Sequence, residues 1–136
     1  MSSQESKIAE LVKNYKDTGW FTAYVGGKEF LKATTVVFHE AGADEYWIIA
    51  DQPDKSWVTF AIPSSLVGDG PHVVEHPSGS LVWTAKFDEK SRPAEAGSSV
   101  EVTFFDKRTG VEGTIDFVLK DGRKVTGKFN ISRTSR

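Results

Sequence analysis

Apolar and polar residues alternate from Trp20 nearly to the end of the chain, and this period of two constrains the fold more than any other feature. Successive side chains of a β-strand point to opposite faces of the sheet, so the alternation predicts strands. They recur about every ten residues, with short polar turns between them. The expected strands cover residues 20–25, 28–39, 45–51, 56–62, 71–75, 80–87, 99–106, 110–119 and 123–132. The segment 88–97 is expected to be a loop. We therefore predict an all-β fold, a single antiparallel β-sandwich or flattened barrel of about eight to ten strands.

Residues 3–18 have the different periodicity of an α-helix. Their apolar residues follow the i, i+3, i+4, i+7 spacing of one stripe: Ile8, Leu11, Val12 and Tyr15. Gly19 is positioned to end this helix. A helix of about four turns is marginally stable alone, so we expect its stripe to pack on the sheet. The 136 residues are interpreted as a single domain, in which the helix precedes a β region over residues 20–132.

The last two predicted strands form a hairpin whose register follows from their apolar faces. A two-residue Asp121–Gly122 turn would place the apolar residues of the two strands on opposite faces of the sheet. A three-residue loop over residues 120–122 instead pairs Phe117 with Val125, so that the apolar faces coincide. We therefore predict a type I turn in which Gly122 adopts a left-handed conformation as a bulge.

The composition excludes several classes of function. The chain has no cysteine, which excludes a disulfide scaffold, thiol catalysis and a zinc site built on thiolates. Its net charge of −2 is unlike that of a general nucleic-acid-binding domain, which is basic. No apolar run approaches the length of about 18 residues that a membrane helix needs. The glycines form no phosphate-binding motif, so we expect no cofactor. From the charge and the short apolar runs we expect no nucleic acid partner and no membrane span.

The first ten residues, MSSQESKIAE, do not resemble a secretory signal. They lack both the basic segment and the continuous apolar segment of such a signal. No cysteine is available for attachment of a lipid. We therefore expect a soluble protein of the cytoplasm.

Short strand motifs open and close the β region. Residues 21–28 read FTAYVGGK, and the later segments read SVEVT at 99–103, VEGT at 111–114 and VTGKFN at 125–130. Together they resemble a family of small all-β domains of unknown function found in bacterial lipoproteins. The resemblance covers about residues 20–131 and implies a sandwich-like fold. The family has no established activity, so the resemblance assigns no functional residues.

Aromatic residues make up 12% of the chain, and the alternation divides them between two faces. The first face is a conventional interior, predicted to contain Phe21, Ala23, Val25, Val58, Phe60, Ile62, Leu81, Trp83, Ala85, Phe87, Val100, Val102 and Phe104. The opposite face is apolar where a one-sided sheet would be polar, and it contains Trp20, Tyr24, Val37, Trp57, Phe105 and either Trp47 or Tyr46. Such a face must be covered by the N-terminal helix, by a second sheet, or by a ligand or partner.

This second aromatic face provides the candidate site. Trp and Tyr combine a flat apolar surface with a polar tip, which suits them to bind sugars or to form the centre of a protein interface. We therefore predict a non-enzymatic module that binds a small ligand or carbohydrate. The predicted ligand-binding residues are Trp20, Tyr24, Trp47, Trp57 and Phe105. The alternative is a protein–protein interaction module, so the partner is an unidentified small molecule, glycan or protein, and the oligomeric state stays open.

The remaining candidates for catalytic or metal chemistry are the three histidines: His39, His72 and His76. In an extended strand His72 and His76 would lie about 13 Å apart, too far to share a metal ion. No serine has the sequence context of a nucleophile elbow. A hydrolase, the third alternative, would need a pocket that brings a histidine near Asp51, Asp54 or Glu75. We predict no catalytic and no metal-binding residues.

Positive charge is concentrated in the last 17 residues, which have a net charge of +5. This segment contains one acidic residue, Asp121, and six basic residues: Lys120, Arg123, Lys124, Lys128, Arg133 and Arg136. Such polarity could steer an anionic partner. We favour a structural interpretation, because lysine and arginine on an edge hairpin discourage edge-to-edge pairing of sheets.

Overall fold

The computed structural model describes residues 3–42, 44–53 and 56–134, without the side chains of residues 3–5 and 7. Within these residues the chain forms one helix, α1 (Ser3–Tyr15), and eleven strands. The strands are β1 (Thr18–Val25), β2 (Lys28–Ala33), β3 (Thr35–Ala41), β4 (Glu45–Gln52), β5 (Ser56–Pro63), β6 (His72–Glu75), β7 (Thr84–Phe87), β8 (Lys90–Pro93), β9 (Ser99–Phe105), β10 (Gly110–Val118) and β11 (Lys124–Ser132). The prediction of an all-β fold is confirmed.

The strands form two antiparallel sheets that pack face to face as a sandwich. The six-stranded sheet has the order β2-β1-β11-β10-β9-β6, and the five-stranded sheet has the order β3-β4-β5-β7-β8. The chain crosses between the sheets after β2, β5, β6 and β8. The core lies between the sheets, and its largest fully buried side chains include Trp83, Phe21, Phe60 and Phe117. Of the two predicted architectures, β-sandwich and flattened barrel, the structure is a β-sandwich.

The predicted interior is confirmed with one exception. Leu81 belongs instead to the apolar cluster beneath α1, on the outside of the five-stranded sheet. The reason is that β7 begins only at Thr84, so the alternation of that strand does not extend back to Leu81. Val25 contacts the core but is only partly buried.

The described residues contain one strand more than the upper limit of the prediction. The segment 28–39, expected to be one extended stretch, bends at Thr34 and supplies β2 to one sheet and β3 to the other. The segment after Asp88, expected to be a loop, contains β8, which pairs with β7 at the edge of the five-stranded sheet.

The helix ends at Tyr15, so its predicted end at residue 18 and the role of Gly19 as its stop are wrong. The backbone N–H of Asp17 already donates to the carbonyl oxygen of Val36 at 2.8 Å, which draws the chain into the sheets before it reaches Gly19. Gly19 is instead part of β1.

The C-terminal hairpin has the predicted register. Phe117 pairs with Val125, and the N–H of Gly122 donates to the carbonyl oxygen of Leu119 at 2.9 Å. Gly122 has a φ of 89°, as the three-residue loop requires. The hairpin is not at an edge, however, because β10 and β11 lie in the middle of the six-stranded sheet. Edge protection is therefore the wrong explanation for its basic residues.

Candidate functional site

The five predicted ligand-binding residues do not form one surface. Trp20, Tyr24 and Phe105 lie on the six-stranded sheet, whereas Trp47 and Trp57 lie on the five-stranded sheet. In a sandwich the outward residues of the two sheets point away from each other. The alternation correctly separated these residues from most of the core. It assigned them all to one face, however, whereas they belong to the opposite outer faces of two sheets.

The outer face of the five-stranded sheet is covered by α1. The cluster beneath the helix contains Ile8, Leu11, Val37, Ile49, Trp57, Ala61 and Leu81. Trp57 is only 7% exposed there, and Trp47 is half-buried at the margin of the same cluster. Tyr46 points the opposite way, into the core, where its ring centre is 5.0 Å from that of Phe38. Of the three predicted covers for an apolar outer face, the N-terminal helix is the one that covers this sheet.

The outer face of the six-stranded sheet keeps two large aromatic side chains exposed. Trp20 is 44% exposed and Tyr24 is 36% exposed. Both point outward from β1, because the residues that alternate with them, Phe21 and Ala23, are fully buried in the core. Thr22 lies between the two aromatic residues on the same outward side.

Polar residues of the neighbouring strands surround this aromatic pair. Across β11, Trp20 lies opposite Asn130, Thr22 opposite Lys128, and Tyr24 opposite Thr126. We call the following set the open aromatic face: Trp20, Thr22, Tyr24, Lys32, Thr126, Lys128 and Asn130. It offers hydroxyl, amide and ammonium groups beside two exposed rings.

A β-bulge next to Tyr24 fixes the local geometry of this face. Ala23 pairs with Leu31 but Tyr24 pairs with Glu29, so that Phe30 is an extra residue of β2. Phe30 and Leu31 both pack on the core side, and the ring centre of Phe30 is 4.9 Å from that of Phe87. A bulge of this kind increases the local twist of the strands and re-aims the side chains beside it.

Phe105 has a different environment, although it lies on the same sheet. It is half-buried, and its ring covers Gly110, where any added Cβ would collide with it. β9 is separated from β1 by β11 and β10, a distance of about 14 Å across the sheet. Phe105 is therefore outside the open aromatic face.

Trp47 borders a groove of about 370 Å³ on the opposite side of the sandwich. The groove is lined by His39, Ala41, Gly42, Asp44, Glu45, Trp47 and Ser80. The carboxylate of Glu45 accepts hydrogen bonds from the indole Nε1–H of Trp47, from the backbone N–H of Ser80 at 3.0 Å and from the Ser80 hydroxyl at 2.8 Å. These bonds fasten the segment before β7 to β4, and they engage the polar tip of Trp47 within the protein.

The histidines are distributed over both sheets. His39 lies on β3 with its ring centre 4.5 Å from that of Tyr15, whereas His72 lies on β6 with its Nε2 atom 2.9 Å from the carbonyl oxygen of Gly68. His76 follows β6 and packs on Trp83 at 5.3 Å. Asp54, one of the candidate carboxylates, lies outside the described residues. In the described part of the chain no three histidine, aspartate or glutamate residues are grouped so that they could hold a metal ion.

A second concave site, which was not predicted from the sequence, lies at one end of the sandwich. This cleft, of about 380 Å³, lies between β8 and the β10–β11 turn. Its lining residues are Lys90, Ser91, Arg92, Pro93, Leu119, Lys120, Asp121 and Arg123. We call it the basic cleft. The alternate basic residues Lys90 and Arg92 could have revealed a strand with a charged face, but the segment was expected to be a loop.

Asp121 and Arg123, two residues of this cleft, have shifted pKa values. The Arg123 side chain donates from Nε to Asp121 Oδ2 at 2.9 Å, and its backbone N–H donates to Asp121 Oδ1 at 3.0 Å. These bonds lower the pKa of Asp121, and the same side-chain bond raises the pKa of Arg123. The pair thus stays ionised over a wider range of pH than either residue would alone.

Comparisons with models of known protein families, with curated proteins and with solved structures found no match for this chain. None of the helical residues that the structure describes forms a segment both long and apolar enough to span a membrane.

Proposed function

We propose that the protein is a non-enzymatic module that binds a carbohydrate or a similar small ligand on the open aromatic face. The observation that carries this proposal is the joint exposure of Trp20 and Tyr24 on one side of β1. Most large apolar side chains of the described residues are buried in the core or beneath α1. Two aromatic rings exposed on an otherwise polar face favour a role in binding over a role in stabilising the fold.

The chemistry of the face suits a ligand that has both apolar and hydroxyl-rich surface. A sugar ring can place its C–H groups against an aromatic ring, while the indole N–H and the phenol O–H remain available for hydrogen bonds. Asn130 supplies a side-chain amide beside Trp20, and its Nδ2 atom already donates to Glu112 Oε2 at 3.1 Å. A hydrogen-bonded amide and carboxylate held next to an open ring support recognition of hydroxyl groups.

The spacing of the aromatic residues favours an extended ligand. Trp20 and Tyr24 are four residues apart on a strand, which separates their Cα atoms by about 13 Å. Thr22 lies midway between them, and Lys128 lies opposite Thr22 on β11. A ligand that runs along β1 can therefore contact both rings and the polar residues between them.

A glycan array followed by calorimetry with the strongest hit tests this proposal. We expect Trp20→Ala and Tyr24→Ala each to weaken binding about tenfold or more, because each removes a stacking surface. The matched control is Val73→Ala, which removes an exposed apolar side chain from the same outer face but on β6, four strand positions from β1. Equal binding by all three variants would contradict the proposal, as would an array without hits.

A protein–protein interaction module is the second candidate, favoured by the position of the open aromatic face. The face extends onto β2, an edge strand of the six-stranded sheet, and exposed Trp and Tyr are typical of interface centres. A partner that covered this face should bury more than about 1,000 Å² in total. Light scattering that shows an oligomer of the wild type, but a monomer of Trp20→Ala, would favour this function over glycan binding.

A further inference from the structure

We propose that the basic cleft binds the phosphate group of a small organic phosphate monoester. This second site does not depend on ligand binding at the open aromatic face. It is built from both sheets, because Lys90 and Arg92 come from β8 of the five-stranded sheet, whereas Lys120 and Arg123 come from the turn between two strands of the six-stranded sheet.

The charge of the cleft is unbalanced. Four basic side chains line it against one carboxylate, a net charge of +3. Both oxygens of that carboxylate, in Asp121, bind Arg123. Among the residues that the structure describes, Lys90, Arg92 and Lys120 form no ion pair. A bound dianion would neutralise the excess positive charge of the residues that line the cleft.

The two guanidinium groups of the cleft are held over one aromatic ring. The central carbon of Arg92 lies 4.1 Å from the ring centre of Phe87, and that of Arg123 lies 5.3 Å from it. Phe87 is itself a buried residue of the core, so it provides a fixed support. Arg92 is half-buried, and its Nε atom is buried without a hydrogen-bond partner in the described part of the chain. Two guanidinium groups, oriented by one ring, are therefore present before any ligand binds.

The arrangement favours a phosphate monoester over other anions. A guanidinium group matches the oxygen geometry of phosphate through paired N–H donors, and two nearby lysines add charge that a dianion uses better than a carboxylate. The cleft volume falls in the range of small-molecule sites. Pro93 and Leu119 supply apolar walls for the organic part of the ligand. The net charge of −2 for the whole chain disfavours a long nucleic acid.

A competing explanation exists for the two residues on β8. β8 is an edge strand, and its pairing with β7 places Lys90 opposite Phe87 and Arg92 opposite Ala85, both of which face the core. Charges that point inward on an edge strand discourage aggregation. That explanation does not account for Lys120 and Arg123, which line the same cleft from the other sheet.

Calorimetry and amide chemical-shift mapping of the full chain, in low-salt buffer without phosphate, test the proposal. The probes are phenyl phosphate, inorganic phosphate and benzoate. We expect phenyl phosphate to bind most tightly and to shift the amide signals of residues 90–92 and 119–123. Arg92→Gln and Lys120→Gln should each weaken its binding about tenfold. Lys120 is an exposed turn residue, so its variant stays informative if Arg92→Gln proves unstable.

The matched control is Lys13→Gln, which removes one exposed positive charge from α1. It should bind phenyl phosphate as the wild type does. Equal weakening by Lys13→Gln, or shifts outside the cleft, would overturn the proposal and leave edge protection as the role of the β8 charges. Benzoate or inorganic phosphate that binds as tightly as phenyl phosphate would overturn the assignment of a monoester. None of these outcomes depends on Trp20 or Tyr24.

Discussion

The carboxylate of Asp17 accepts a hydrogen bond of 2.7 Å from the backbone N–H of Phe38, a residue 21 positions later in the chain. Its second oxygen accepts a hydrogen bond of 2.9 Å from the backbone N–H of Thr134. Asp17 is 3% exposed. One buried side chain thus joins the end of α1, the strand β3 and the residues that follow β11.

We expect Asp17→Ala to lower the free energy of unfolding by about 2–4 kcal/mol, because two backbone N–H groups lose their acceptor. Urea denaturation measures the change. The control is Asp69→Ala, which removes an exposed carboxylate and should alter stability by less than about 0.5 kcal/mol. Similar losses in the two variants would contradict a specific role for Asp17.

A second prediction concerns Arg108, which holds the loop between β5 and β6. Its guanidinium group donates to the carbonyl oxygens of Ser64 at 2.9 Å, Leu66 and Gly68 at 3.2 Å, and it lies 4.4 Å above the ring of Phe104. Arg108→Ala should raise amide hydrogen exchange in this loop about tenfold or more. Arg108→Lys should rescue little, because an ammonium group lacks the planar set of donors. Full rescue by lysine would show that charge alone is sufficient.

The third prediction concerns Gly19, which has a φ of +143° and lies against β11. A Cβ at this position would lie 2.0 Å from the carbonyl oxygen of Asn130. Gly19→Ala should therefore destabilise the protein by about 3 kcal/mol or more. Gly26→Ala is the comparison, since a Cβ there meets no atom within 4 Å and the cost of about 1 kcal/mol comes from backbone strain alone. Thermal melts of equal midpoint would refute the steric argument.

Acrylamide quenching of tryptophan fluorescence gives the fourth prediction. Trp20 is the most exposed of the four tryptophans, whereas Trp57 and Trp83 are buried and Trp47 is half-buried. We expect Trp20→Phe to remove most of the readily quenched emission. Trp57→Phe should leave that fraction unchanged, and the reverse pattern would show that α1 does not cover Trp57 in solution.

The fifth prediction follows from the pKa of Asp121, which hydrogen bonds from Arg123 lower. Stabilisation by this pair should be present above the pKa of Asp121 in the unfolded chain and lost as pH falls through its folded pKa. Its size should be small, because both groups are exposed to solvent. Carboxyl NMR titration should show the pKa of Asp121 rising toward its ordinary value in Arg123→Gln. Lys13→Gln should leave it unchanged, and a pKa insensitive to Arg123 would contradict the assignment.

The local features of the fold were predictable because they depend on nearby residues. The apolar stripe of α1 follows from helical spacing, and the pairing of Phe117 with Val125 follows from the requirement that two strand faces coincide. The helix end was not predictable, since Asp17 finds its partners in β3 and beyond β11. Long-range hydrogen bonds have no signature in the sequence around Asp17.

The candidate sites show a similar division. Alternation placed Trp20 and Tyr24 outside the core, but it could not assign them to a different sheet from Trp57, because period two records faces and carries no information on strand partners. The basic cleft escaped prediction for the same reason. Lys90 and Lys120 are 30 positions apart and meet only because β8 and the β10–β11 turn lie at one end of the sandwich.

The position of α1 gives the sandwich a front and a back. The helix occupies the outside of the five-stranded sheet, and Lys13 is exposed on it, whereas Trp20 and Tyr24 lie on the far side of both sheets. A solid surface coupled to the protein through Lys13 would therefore hold the molecule on the side that α1 covers. Every immobilised copy would then present its open rings to the solution, which is the orientation that a surface-bound capture reagent requires.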